Sequence, residues 1–107
     1  MEEAWMPSLD AGYVVVDLWR AKPGKEDELK RVLTQARRRF RAYPGIISVD
    51  YAHLDGDESR YLVVFRYTDQ QTREAFVSTD DLKSTMARLS QLWALEGPVY
   101  KGAAAIL

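Results

Sequence analysis

The chain has 107 residues, against ~150 for a typical domain, which leaves room for one compact domain and excludes a two-domain enzyme. Fifteen Lys and Arg against sixteen Asp and Glu give a net charge of −1, so there is no positive excess to hold a nucleic-acid backbone through counterion release. The absence of cysteine excludes a disulfide framework, a thiolate nucleophile and cysteine-based metal sites.

Met1-Glu2-Glu3 is acidic where a signal peptide is basic, and the apolar runs, such as Tyr61 to Phe65, fall far short of the ~18 residues of a membrane span. A soluble cytoplasmic protein is the expectation. Residues 1–12 mix acidic, small and turn-forming types with Trp5 and Met6 and read as an N-terminal arm before a domain over residues 13–107. Tyr13 to Trp19 is β-branched and aromatic, which predicts a strand, and Lys22-Pro23-Gly24 ends it. From Lys25 the period turns helical, with Leu29, Val32, Leu33, Ala36 and Phe40 on one face, until Tyr43-Pro44-Gly45 stops it. Ile46 to His53 and Arg60 to Tyr67 read as a β-hairpin joined through Leu54 to Ser59. Thr68 and Gln71 form a capping box that opens a short helix through about Val77. Ser78-Thr79-Asp80-Asp81 then starts a longer helix carrying Leu82, Met86, Leu89 and Trp93, stopped by Gly97-Pro98, and Val99 to Leu107 reads as the last strand.

The order βαββααβ predicts a ferredoxin-like α+β layer, an antiparallel sheet with helices on one face. Yet Val14-Val15-Val16 and Leu62-Val63-Val64-Phe65 are apolar at consecutive positions. Side chains alternate across a strand, so both faces carry apolar groups and the second face needs a cover. A second copy of the same sheet is the simplest cover, which predicts a homodimer.

Gly-rich phosphate loops, nucleophile elbows and paired-His metal motifs are all missing, and one histidine cannot build the usual multi-His metal site. His53 ends a strand beside a turn, where an exposed or structurally bonded imidazole competes with a role as base or ligand contact. Arg37, Arg38, Arg39 and Arg41 close a helix that opens with Glu26, Asp27 and Glu28, the distribution a helix dipole favours, so they read as a solvated helix end. Asp17 is more informative, because a carboxylate between Val16 and Leu18 inside a covered strand must be ion-paired, protonated or facing a wet cavity. Trp19, Tyr67, Phe76 and Trp93 are candidates for an aromatic pocket, although Trp93 at helical spacing also suits a plain core position.

The chain resembles the antibiotic biosynthesis monooxygenase family of dimeric α+β barrels. The resemblance is carried by the first strand running into Arg20-Ala21-Lys22-Pro23-Gly24-Lys25-Glu26-Asp27-Glu28-Leu29, by Tyr43-Pro44-Gly45-Ile46, and by Val64-Phe65-Arg66-Tyr67-Thr68-Asp69 leading to Ala75-Phe76. It implies a pocket between sheet and helices in which electron-rich phenols, quinols or anthrones are oxidised by O₂ without metal or flavin. It also implies that Asp17 falls where relatives carry a polar pocket residue, often Asn, and Tyr67 where many carry Trp. Phe76 or a neighbour takes the place of a helical His that haem-degrading members use for iron, which argues against haem chemistry here. Three readings follow. The first is a cofactor-free monooxygenase with Asp17 as base, Tyr67 as hydrogen-bonding wall, and Trp19, His53, Phe76 and Trp93 as substrate contacts. The second is a non-catalytic dimeric module that binds a small hydrophobic ligand. The third is an assembly domain with no cavity.

Overall fold

β-Branched and aromatic side chains along Tyr13–Ala21 make this stretch β1, an inner strand of the sheet. The structure, a computed structural model, describes residues 12–104. The expected arm, apart from Gly12, and residues 105–107 of the expected last strand lie outside the described residues. After β1 come α1 (Glu26–Arg41), β2 (Ile46–Leu54), β3 (Asp57–Tyr67), α2 (Gln70–Val77), α3 (Asp80–Leu89) and β4 (Trp93–Ala103). The strands form one sheet in the order β2-β3-β1-β4, antiparallel throughout. This is the ferredoxin-like α+β layer that the βαββααβ order predicts.

α1 buries the predicted stripe of Leu29, Val32, Leu33, Ala36 and Phe40, with its acidic residues in the first turn and its basic ones in the last. One of those basic residues does more than meet solvent. The Arg39 guanidinium lies 3.2 Å from the Asp81 carboxylate and donates to Thr85 Oγ1 at 2.8 Å, which ties α1 to α3.

Three boundaries differ from the sequence expectation. The hairpin turn is only Asp55-Gly56, because Asp57 and Ser59 join the ladder, where Asp57 Oδ1 accepts from the Ser59 amide and hydroxyl. The cap of α2 is Asp69, whose carboxylate accepts the Thr72 amide at 2.7 Å, while the Thr68 hydroxyl contacts that of Thr72, so the capping box of Thr68 and Gln71 does not form. α3 stops at Leu89, and Trp93 begins β4 instead of ending a helix. There the Leu92 carbonyl accepts the Lys22 amide at 2.8 Å, and this bond docks the chain beside the end of β1 before Trp93 pairs with Ala21. β4 also runs through Gly97-Pro98 instead of starting after it. It does so by two register shifts against β1, between Val16 and Asp17 and between Leu18 and Trp19.

Gly45 fixes how α2 meets the sheet. Its φ is 90°, a Cβ there would lie 2.5 Å from Thr72 Cγ2, and its carbonyl accepts the Thr68 amide at 2.8 Å. All three helices lie on the face of β1 that carries Tyr13, Val15, Asp17 and Trp19. The opposite face, with Val14, Val16, Leu18, Leu62 and Val64 half-buried and Tyr100 exposed, has no cover among the described residues.

Under the helices the core is divided. One buried cluster gathers Tyr13, Val15, Phe40, Tyr67, Phe76 and Leu82, and a second gathers Leu29, Leu33, Tyr61, Val63, Leu89 and Trp93. Tyr51, Phe65 and Met86 touch both.

Candidate functional site

A cavity of about 450 Å³ occupies the gap between the two clusters, within the size range of small-molecule sites. Its floor is β1 and β3. The pleat sends Val15, Asp17 and Trp19 to the same side, and the cross-strand register sets Phe65 beside Val15 and Val63 beside Asp17. Its roof comes from the helices, through Phe40 of α1, Phe76 of α2 and Met86 of α3 among others, and Trp93 contributes from the start of β4.

Asp17 sits mid-floor with no ion-pair partner within 4.0 Å among the described residues. Burial pushes its carboxyl above the usual range, and the charges of Arg73 and Lys101 partly oppose that rise. On its β4 side Asp17 is paired with Pro98, between the two register shifts, so the ladder there is irregular and one backbone donor is missing. Of the three fates open to a carboxylate in this strand, facing a cavity is the one observed.

Tyr67 is 3% exposed and stacks on Phe65 with ring centroids 6.0 Å apart. Burial drives its phenol far above the ordinary value, with Arg73 opposing and Asp17 reinforcing the shift. The group therefore stays a neutral hydroxyl at physiological pH. Tyr51, on β2, is likewise pushed up to about 12 by burial against the charges of Arg37 and Arg39. Phe76 meets Phe40 edge-on at 5.1 Å and closes one end of the chamber. At the other end Trp19 and Trp93 stack at 4.5 Å, 16° from parallel. The Trp93 indole nitrogen is buried without a hydrogen-bond partner.

Five of the six sequence candidates, Asp17, Tyr67, Trp19, Phe76 and Trp93, thus line one cavity. His53 does not. It is exposed and packs edge-on against Tyr61 at 4.4 Å, outside the lining. The residue of that strand which reaches the cavity is Tyr51, two positions earlier on the same face. Arg73 and Lys83 also line it and were missed. A signal for Arg73 was present, since it lies three residues before Phe76 and shares its helix face.

The lining contains neither His nor Cys, so it offers neither the imidazole nor the thiolate that most often holds a haem iron. Among the described residues no three His, Asp or Glu side chains converge on a possible metal position, and no helix is long and apolar enough to cross a membrane. The reading of an assembly domain without a cavity is overturned by the cavity itself. What this arrangement can do is hold a flat apolar molecule between aromatic walls, accept a proton at Asp17 and donate a hydrogen bond from Tyr67.

Comparisons with known proteins agree with this architecture. The structure is similar to SnoaB, a cofactor-independent oxygenase from Streptomyces nogalater, with a TM-score of 0.74 at 15% identity over 80% of this chain and 87% of that one. It is similar to a conserved protein from Methanosarcina mazei Go1, with a TM-score of 0.74 at 14% identity over 87% and 97%. A third similar structure, from Chloroflexus aurantiacus J-10-fl and provisionally assigned as an antibiotic biosynthesis monooxygenase, gives 0.70 at 18% identity over 90% and 93%. At these identities the likeness speaks for the fold alone. No curated protein matches the sequence. The family model described as antibiotic biosynthesis monooxygenase, however, matches residues 12–88, well over half of the chain, and the chain belongs to that family.

Proposed function

We propose that the protein is a cytoplasmic monooxygenase that oxidises a small aromatic or quinol-type substrate with O₂, using no metal or flavin, and that it works as a homodimer. The observation that carries this reading is Asp17, a carboxylate without an ion-pair partner among the described residues, on the floor of a cavity with aromatic walls. Its raised proton affinity suits a general base better than an ordinary surface carboxylate would. A substrate methylene or hydroxyl flanked by aromatic rings gives its proton to Asp17, and the electron-rich anion that remains reduces O₂. For a methylene the balance is R₂CH₂ + O₂ → R₂C=O + H₂O. Four electrons leave the carbon, one oxygen atom stays on it, and the other departs as water. The Tyr67 hydroxyl donates to the oxygen that gains charge. That SnoaB is a cofactor-independent oxygenase on the same fold supports this chemistry by analogy.

The homodimer rests on the uncovered face of β1 and β3, whose half-buried valines and leucines fit a second copy related by a twofold axis. The test of the activity is oxygen uptake by the purified protein across a panel of quinols and polyphenols, with Asp17→Asn alongside. Uptake by the wild type that collapses in the variant supports the reading, and uptake indifferent to Asp17 defeats it. The alternative, a non-catalytic module for a small hydrophobic ligand, is favoured by how few polar groups line the cavity. Tight binding of apolar aromatics without any oxygen uptake would decide for it.

A further inference from the structure

Arg73 is the feature of the cavity that the proposed chemistry leaves unused. Four other arginines are neutralised: Arg20 and Arg60 share Glu96, Arg39 meets Asp81, and Arg88 reaches Glu28. Arg73 is half-buried on the roof and makes no side-chain hydrogen bond or ion pair among the described residues. A guanidinium has five N–H donors, and leaving them without partners in a partly dry site is costly.

It lines the same cavity as Asp17 and Tyr67, and its charge acts on both. It is nonetheless not bonded to Asp17, and a gap separates the cation on the roof from the carboxyl on the floor. The ionisable side chains of the lining, beyond the tyrosines, are Asp17, Arg73 and Lys83. Two cations against one carboxylate leave the chamber with an excess of positive charge. Lys83 is exposed and its charge is screened by water, whereas Arg73 is not free to shed its field in this way.

We propose, building on the ligand cavity of the preceding reading, that Arg73 selects aromatic ligands bearing a carboxylate, which it grips from the roof while the rings lie between the aromatic walls. A carboxylate matches the planar fork of a guanidinium with two parallel hydrogen bonds, a fit that a neutral ester or ether lacks. Arg73 is thus a specificity residue, and the proton transfer stays with Asp17.

The test is calorimetric titration with 2-naphthoate and with its neutral methyl ester, which differ by the charge. The wild type binds the acid about tenfold to a hundredfold more tightly than the ester. Arg73→Gln erases that preference and leaves ester affinity within about twofold, Arg73→Lys restores part of it, and Lys83→Gln keeps it. Equal affinity of the wild type for acid and ester overturns the inference with no variant needed, as does failure of both probes to bind. A preference that follows Lys83 instead of Arg73 overturns it too. Because binding is read without turnover, an Arg73-dependent preference in a protein that consumes no oxygen supports the inference while defeating the monooxygenase reading.

Discussion

The two faces of β1 are built from alternate residues of one strand and have opposite characters. Toward the helices Tyr13, Val15, Asp17 and Trp19 meet a roof of side chains that leaves a hollow. Away from them Val14, Val16 and Leu18 form an apolar strip that no described residue roofs. The covered face tolerates a carboxylate because the hollow leaves room for water or ligand around it. The open face carries an ion-paired cluster at one end, where Arg20 and Arg60 converge on Glu96 and Arg20 also meets Asp57 and Ser59. In the proposed function one face receives a small ligand and the other meets a second copy of the chain.

The largest effect is expected from breaking the open face. Val64→Glu puts an unpaired carboxylate into each half of the proposed twofold interface, and dimerisation should be lost, with sedimentation equilibrium falling to the 12.3 kDa monomer. A wild type that is already monomeric at micromolar concentration would refute the assignment of this face.

On the covered face, Asp17→Asn should lower turnover by about 10²- to 10⁴-fold if the carboxyl is the base. Folding should survive, and the sign of the pH effect follows from burial. The folded carboxyl holds its proton to higher pH than the unfolded one, so whatever stability this brings is present in acid and is lost as pH rises through the folded value. The Asn variant should therefore melt at or slightly above the wild-type temperature at pH 7, and the difference should vanish in acid. A clear loss of stability at pH 7 would mean that Asp17 neutralises a cation after all.

Phe76→Ala removes the one buried side chain of α2 and its contacts with Phe40, Tyr43, Phe65 and Tyr67. The expected cost is about 3 kcal/mol in denaturant unfolding, toward the low end for such a truncation because a void already borders the ring. The smallest effect is expected from Asp69→Ala, which uncaps α2 for about 1 kcal/mol, a fall of roughly 4–8 °C in Tm. If uncapping also loosened the grip on 2-naphthoate, it would sharpen the comparison, because the roof would then owe its shape to one helix start.

Periodicity alone carried most of the fold. β1, α1 and the hairpin are long, and each has one clear repeat, so the sheet and its helical cover follow from them. Trp93 misled because it points inward on either reading, at helical spacing from Leu89 or as the first residue of a strand paired to Ala21. Thr68 misled because its neighbour Asp69 offers a stronger acceptor one position on. In the site, Asp17 was legible because a charge inside an apolar strand needs a reason. Arg73 left only the faint signal of its spacing from Phe76, since an arginine on a short helix is ordinarily solvated, and the packed roof reveals that it is half enclosed. His53 stood out for its chemistry alone, and its place at the far end of β2 keeps it out of the cavity.

The irregular course of β4 bears on how this protein avoids growing without limit. An edge strand offers a free row of amides and carbonyls to any other strand, the usual start of a fibre. Here that edge contains Pro98, which has no amide hydrogen, and it is bent by two register shifts within three residues of β1. At the opposite border β2 slips its register around Ile47, whose side chain stands 45% exposed. Neither border presents a straight template, which disfavours side-by-side addition of neighbouring sheets. Contact through the flat face has no such obstacle, and a twofold contact of that kind is used up once made. If the proposed twofold dimer forms, association of this chain is steered toward a closed particle and away from a filament.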